Sequence, residues 1–116
     1  MSSWVLEYYE TTSGRCPVRE YLDSLRGREF AAVRKDLDLL EMYGIQLGAP
    51  AVKHLEGKVW ELRTRGQAEH RVLYVAVSGQ RLIMLHAFMK KTQRTPRREI
   101  ETAQRRLADC EQRGLL

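Results

Sequence analysis

Three apolar segments joined by short turns occupy residues 59–89 and restrict the folds open to this chain. The segments VWELRT (about 59–64), HRVLYVAV (70–77) and RLIMLHAFM (81–89) are rich in β-branched and aromatic residues, which favours strands. The connecting sequences RGQAE and SGQ are short enough to form hairpins. We therefore predict three consecutive antiparallel strands in this part of the chain.

The residues that precede these strands predict one further strand and two helices. The segment WVLEYYE, residues 4–10, is aromatic and β-branched and indicates a first strand. Helices are expected at about 17–26 and 28–43, and the very short connection between them predicts an antiparallel helical hairpin. The longer helix has an apolar face, in which residues recur at spacings of three and four: Phe30, Val33, Leu37 and Leu40.

Two further segments complete the predicted order of elements. Residues 45–58 contain two glycines and a proline and are expected to form a connecting loop. A last helix is expected after Thr95, which is a suitable N-cap, with Pro96 at its first position. The resulting order, β-α-α-β-β-β-α, predicts an α+β fold in which an N-terminal helical hairpin and a C-terminal helix pack on a mainly antiparallel sheet. One domain is expected to span residues 1–116.

Length and composition favour a small globular protein of a reducing compartment. The 116 residues are 43% hydrophobic and 30% charged, which is ordinary for a folded domain. Neither a signal peptide nor an apolar run long enough to cross a membrane is evident in the sequence. Cys16 and Cys110 stand alone, without the spacing of a zinc site, and are expected to be free thiols. We therefore expect a cytoplasmic protein with no membrane association.

The positive charge is concentrated in one part of the chain. The formal net charge is +5, but residues 53–98 carry +8, whereas residues 1–52 carry −2 and residues 99–116 carry −1. Segregated charge of this kind indicates an anionic partner such as a nucleic acid.

Four basic residues are expected to converge at one end of the predicted sheet. Arg63 lies near the end of the first hairpin-linked strand, Arg71 begins the second, and Lys90 and Lys91 follow the third. Antiparallel hairpins place the end of one strand beside the start of the next, so these side chains should lie close together. Cations this close repel one another unless an anion joins them, and the guanidinium fork suits phosphate oxygens. The sequence therefore predicts a phosphate pocket.

The same residues also have less specific explanations. In the simplest one, Arg63 pairs with Glu61 or Glu69, and the two lysines are ordinary solvated side chains. His54 and His70 are candidates for proton transfer, although the sequence reveals no partner for either. The sequence contains neither a carboxylate cluster suited to Mg²⁺ nor a glycine-rich phosphate loop, so metal-dependent nuclease chemistry is not expected.

Three strings in the basic half of the chain carry a family resemblance. The combination of K-x-L-E-G-x-V-W-E-L-R, H-R-V-L-Y and L-H-A-F-M-K-K-T-Q-R-T-P resembles the HigB-type branch of the RelE/ParE toxin superfamily, and the phage-derived RelE-like proteins most closely. The specific part runs from Lys53 to about Ala108. The resemblance implies the toxin of a type II toxin–antitoxin pair, which cuts mRNA in the ribosomal A site and is neutralised by a HigA-like helix-turn-helix antitoxin encoded beside it.

The resemblance also implies roles for individual residues. Arg63, Arg71, Lys90 and Lys91 would orient the RNA and stabilise a phosphorane-like transition state. The 2′-hydroxyl would attack and leave a 2′,3′-cyclic phosphate, without a metal or cofactor. The sequence QRTPRRE lacks the tyrosine that many RelE members carry here, so the base is open among Glu61, His54 and the lysines. Further RNA contacts are expected from basic residues of the same half: Lys53, His54, Lys58, Arg94, Arg97 and Arg98.

Two other functions fit the same sequence. A ParE-like toxin would bind DNA gyrase without performing chemistry, and a plain RNA-binding module would only hold RNA. The converging cations favour the nuclease, because an inhibitor that binds a protein has no need of a phosphate pocket. Single-strand stacking needs exposed aromatic rings, whereas Trp4 and Trp60 are both expected in the core.

Overall fold

The computed structural model describes residues 3–116 as a five-stranded sheet with helices on both faces. The predicted α+β fold, with its helical hairpin and its C-terminal helix, is confirmed. Among these residues, no helix is both long and apolar enough to cross a membrane. The elements in chain order are β1 (Val5–Tyr8), α1 (Pro17–Ser24), α2 (Gly27–Tyr43), β2 (Val52–Glu56), β3 (Val59–Arg65), β4 (Glu69–Val77), β5 (Arg81–Lys90) and α3 (Arg97–Gln112), with a short 3-10 turn, Gly44–Gln46, after α2.

The strands lie side by side in the order β1-β5-β4-β3-β2. Neighbouring strands from β2 to β5 are antiparallel, and β1 joins the edge of β5 in parallel. The predicted unit of three hairpin-linked strands is therefore present as β3, β4 and β5. In its register, Arg63 lies directly opposite Arg71, and Glu69 lies opposite Lys90.

The prediction of a loop over residues 45–58 was wrong in part, because this segment contains β2. The strand pairs with β3, with Lys53 opposite Glu61, and Gly57 makes the turn between the two strands at a φ of 57°. The sequence pattern missed it because Lys53 and His54 interrupt the apolar residues, as is common in an edge strand that exposes polar side chains. The order of elements is therefore β-α-α-β-β-β-β-α.

Apolar side chains form a core on each face of the sheet. On one face, α1 and α2 cover strand residues that include Leu62 and Met84. On the other face, α3 covers strand residues that include Leu73 and Leu85. β4 is buried on both sides along most of its length, which explains its nearly continuous apolar sequence.

Two aromatic side chains from apolar segments of the sequence are partly exposed. Phe30 is 42% exposed, while its neighbour Glu29 points toward the turn between β3 and β4. Trp60 is 40% exposed and packs beside the ring of His54, with 5.1 Å between the ring centroids. The expectation that Trp60 lies in the core was wrong, whereas the later positions of the α2 apolar face are buried: Val33, Leu37 and Leu40.

Gly44, which ends α2, is the position where the fold depends most clearly on glycine. Its backbone has φ 53° and ψ −128°, and a Cβ would overlap the indole ring of Trp4. We expect Gly44→Ala to lower the free energy of unfolding by about 2 kcal/mol or more, because it adds both backbone strain and a clash. Gly48→Ala is the control, since nothing lies within 4 Å of its Cβ position. Denaturant unfolding measures both, and equal stability of the two variants would contradict this account.

Candidate functional site

A pocket of about 680 Å³ opens at the end of the sheet where β4 begins and β5 ends. The hairpin register brings together the four cations that the sequence placed there, and Arg65 adds a fifth. We call this feature the cation pocket, and its lining residues are Arg63, Arg65, Glu69, Arg71, Lys90, Lys91, Thr92 and Gln93.

The buried carboxylate of Glu61 lies beneath these cations. The residue is 1% exposed, and its Oε1 accepts a hydrogen bond from Arg63 Nε at 3.4 Å and lies 3.7 Å from Arg71 Nε. The hydroxyl of Thr95 donates to the other carboxylate oxygen. The sequence-based expectation that these cations need an external anion was therefore incomplete, since Glu61 offsets their repulsion from within the chain.

Arg71 is a buried charged side chain that is held by three partners, of which Glu61 is one. It is 3% exposed, its Nη1 donates to the His70 carbonyl at 2.9 Å, and its Nη2 donates to Glu69 Oε1 at 2.6 Å. This hydrogen bond and the positive charges of Arg71, Arg65 and Lys90 hold the pKa of Glu69 below its usual range. Arg71 Nε has no hydrogen-bond partner within the described chain. The guanidinium is therefore fixed in place before any ligand arrives.

The segment after β5 forms the opposite rim of the cation pocket. Lys90 Nζ donates to the Gln93 carbonyl at 2.7 Å, and the Thr92 hydroxyl donates to the Arg94 carbonyl at 2.6 Å. Lys91 is exposed on this rim. The two lysines thus differ, because Lys90 is anchored to the backbone while Lys91 projects into solvent.

Two of the residues predicted to bind RNA lie beside the cation pocket. An adjoining cleft of about 320 Å³ is lined by Lys53 and Arg94, and it shares Arg63 and Lys90 with the cation pocket. Lys53 reaches this face because it lies opposite Glu61 on the neighbouring strand. These two residues extend the positive surface away from the hairpin turn.

Arg97 and Arg98 lie further out, at the start of α3. Arg97 donates to both carboxylate oxygens of Glu56, at 2.5 and 2.9 Å, and this pairing raises the pKa of its guanidinium. The side chain of Arg98 is 81% exposed. Both residues line a shallow hollow together with Arg94, so the positive surface continues along the N-terminal end of α3.

His54 and Lys58 are not brought to the cation pocket. His54 Nε2 contacts the Gly57 carbonyl at 2.7 Å, and its ring lies beside Trp60, which is on the face of the sheet opposite Glu61. Lys58 lies at the other end of the sheet, with its Nζ 3.6 Å from the carboxylate of Glu111. The positions of these two residues, away from the cation pocket, do not support the RNA contacts predicted for them.

Thr95 differs from its predicted role as the N-cap of the last helix. The helix begins at Arg97 with Pro96 at its N-cap, and no side chain caps it. The Thr95 hydroxyl instead donates to Glu61, because a buried carboxylate requires hydrogen-bond donors. A sequence pattern cannot reveal this contact, since the two residues are separated by 34 positions.

The described residues, 3–116, contain no group of three or more histidine, cysteine, aspartate or glutamate side chains placed to hold a metal ion. The two carboxylates at the cation pocket, Glu61 and Glu69, are both engaged by arginines. The pocket is suited by its charge and its guanidinium groups to an anion with several oxygen atoms, such as a phosphodiester.

Comparison with known proteins identifies the family. A protein named probable endoribonuclease HigB1, from Mycobacterium tuberculosis, is 32% identical over 105 residues, which cover 89% of this chain and 80% of the relative. The same match is found for two strains of that organism, CDC 1551 / Oshkosh and ATCC 25618 / H37Rv. The fold and this relative together define a HigB-type toxin, as the sequence strings predicted. More narrowly, residues 20–108 match the family described as phage-derived protein Gp49-like, and the chain belongs to this family.

The contacts of Arg71 lead to a prediction about stability. We expect Arg71→Ala to lower the free energy of unfolding by about 3 kcal/mol, because it leaves Glu61 buried with less compensation and removes the partner of Glu69. Lys91→Ala removes the same charge from an exposed position and should change stability by less than about 0.5 kcal/mol. Denaturant unfolding of both variants tests this difference. Equal stability would show that Arg71 is an ordinary surface cation.

Proposed function

We propose that this HigB-type toxin is an endoribonuclease that cleaves mRNA in the ribosomal A site. The support comes from the cation pocket, in which two arginines and two lysines, carried by three strands and the residue after β5, line one concave surface: Arg63, Arg71, Lys90 and Lys91. The name of the relative HigB1, probable endoribonuclease, is in keeping with this activity.

The proposed reaction is an internal phosphoryl transfer within the RNA. The 2′ oxygen forms a bond to the neighbouring phosphorus, and the bond from that phosphorus to the 5′ oxygen of the next nucleotide breaks. The products are a 2′,3′-cyclic phosphate and a free 5′-hydroxyl. Negative charge builds up on the phosphorane-like transition state, and the fixed guanidinium groups of Arg63 and Arg71 stabilise it without having to reorganise. Lys90 and Lys91 add positive charge from the opposite rim.

Two protons must move during this reaction. One leaves the 2′-hydroxyl, and one is taken up by the departing 5′ oxygen. Of the groups considered from the sequence, His54 lies on the wrong face, which leaves Glu61 and the two lysines at the pocket. Glu61 is nearly inaccessible and is occupied by Arg63 and Thr95, so we assign it to holding the arginines. Lys91, exposed on the rim, is the ammonium placed to protonate the leaving oxygen, and the proton of the 2′-hydroxyl passes to solvent water in the open pocket.

The ribosome is required in this scheme because the pocket lacks a strong, well-exposed base. Alignment of the 2′ oxygen with the phosphorus and the leaving oxygen must then come from the way the mRNA is held. In this scheme the ribosomal A site bends the mRNA into that alignment, whereas free RNA samples many unproductive conformations.

We also assign this toxin an antitoxin partner of the helix-turn-helix HigA type, encoded by a neighbouring gene. The +8 charge of residues 53–98 favours a partner that brings an acidic segment to the cation pocket. Electrostatic attraction of this kind weakens as salt rises. Neutralisation follows if the acidic segment occupies the surface that the RNA phosphates need.

Cleavage of mRNA on ribosomes with an open A site tests the proposed activity. Arg63→Ala and Lys91→Ala should each lower the cleavage rate by about a hundredfold or more, because each removes charge stabilisation from the transition state. Arg105→Ala, which removes an exposed arginine from α3, should cleave at the rate of the original protein. The same RNA without ribosomes should be cut slowly or not at all.

Rapid, sequence-indifferent cleavage of naked RNA would contradict the ribosome-dependent scheme. If Arg63→Ala and Lys91→Ala cleaved ribosome-bound mRNA as fast as Arg105→Ala, the cation pocket would have no part in the reaction. If the original protein left ribosome-bound mRNA intact but inhibited supercoiling by DNA gyrase, the ParE-like alternative would replace the endoribonuclease.

A further inference from the structure

A buried hydrogen-bonded array lies on the face of the sheet opposite the cation pocket. His70 is fully buried, its Nδ1 lies 2.6 Å from the Tyr21 hydroxyl, and its Nε2 lies 2.6 Å from Glu29 Oε1. The three residues belong to β4, α1 and α2. The array therefore connects both helices of the hairpin to the strand that carries Arg71.

Glu29 also holds the turn between β3 and β4. Its Oε2 accepts the backbone N–H of Gln67 at 2.6 Å, and its Oε1 accepts that of Ala68 at 3.2 Å. Gly66 allows this approach, because a Cβ at that position would overlap the Glu29 carboxylate. One carboxylate thus fixes the turn whose two ends, Arg65 and Glu69, line the cation pocket.

The donors and acceptors of the array are satisfied by one arrangement of protons. Hydrogen bonds from His70 and from the Gln67 amide hold the pKa of Glu29 below its usual range, so Glu29 is an ionised acceptor. His70 must then carry its proton on Nε2 and donate to Glu29. Burial, assisted by the charge of Glu29, raises the pKa of Tyr21 to about 12, so its hydroxyl keeps its proton and can donate it to His70 Nδ1.

The array is connected to the cation pocket through the backbone of one residue. Successive side chains of a strand point to opposite faces, so Glu69 and Arg71 face the pocket while His70 between them faces α1 and α2. Arg71 Nη1 donates to the His70 carbonyl at 2.9 Å. The His70 backbone is therefore one of the contacts that fix the Arg71 guanidinium, together with Glu69 and Glu61.

We propose that Glu29 and His70 are positioning residues for RNA cleavage, which hold the β3–β4 turn and thereby Arg71 in the geometry that the transition state requires. This inference rests on the proposed function. Loss of the array should lower kcat, because a displacement of about 1 Å can cost about a hundredfold in rate. KM should stay the same, because neither residue contacts RNA and every cation of the pocket is retained.

Glu29→Gln is the most direct test, since it keeps the size of the side chain but presents an amide N–H₂ where the turn needs an acceptor. We expect kcat on ribosome-bound mRNA to fall by about a hundredfold with KM unchanged. Tyr21→Phe removes only the hydroxyl donor and should lower kcat by a smaller factor of about ten, with the fold retained. Glu41→Gln, an exposed position of the same helix, is the matched control and should have normal kcat and KM.

A spectroscopic measurement separates positioning from simple stabilisation. The ¹⁵N NMR shifts of the His70 ring should show the tautomer protonated on Nε2 in the original protein, and Tyr21→Phe should shift the Nδ1 resonance. If Glu29→Gln and Tyr21→Phe only lowered the melting temperature, with kcat unchanged for the folded protein, the inference would be overturned while the proposed function stood. If the original protein failed to cut ribosome-bound mRNA, the proposed function would fall, and the inference with it.

Discussion

The cation pocket depends on the interaction of the buried Glu61 carboxylate with Arg63 and Arg71. Four cations at one end of a sheet would repel one another, and a buried carboxylate without partners would be unstable. The negative charge of Glu61 offsets the repulsion among the cations, and the cations compensate its burial. Both effects arise because Arg63 on β3 and Arg71 on β4 lie against the Glu61 carboxylate. Thr95 completes the arrangement from the segment before α3, so this anion also links the sheet to the start of the last helix. The pocket is therefore built as one connected polar unit rather than as a loose group of surface cations.

β4 connects the packing on one face of the sheet with the cation pocket on the other face. Its pocket face presents Glu69 and Arg71, and its opposite face places His70 between the helices of the hairpin. The helical hairpin thus supports the site as well as covering the core. The proposed catalysis consists mainly of orientation and charge stabilisation. It therefore depends on a rigid placement of Arg71 and the other cations of the pocket.

The sequence predicted the parts of the site that follow from strand pairing. Hairpins of known length fix which residues face one another, and the convergence of Arg63 and Arg71 needs nothing more. The polar partners could not be predicted, because Thr95 reaches Glu61 only through the packing of α3, and Glu29 reaches the β3–β4 turn only through that of α2. The edge strand β2 was missed, so the alternation of its side chains could not be used to place His54 on the face away from the cation pocket.

The central claim is that the scissile phosphate binds among the cations that Glu61 and Glu69 hold in place. A cryo-electron microscopy structure of this toxin on a ribosome, with mRNA blocked by 2′-O-methylation at the A-site codon, tests it most directly. The account predicts the phosphate after the methylated nucleotide within hydrogen-bond distance of Arg63 and Lys91, with Arg71 retaining its contact with Glu69. An mRNA path that followed Arg97 and Arg98 along α3 and left the cation pocket empty would contradict it.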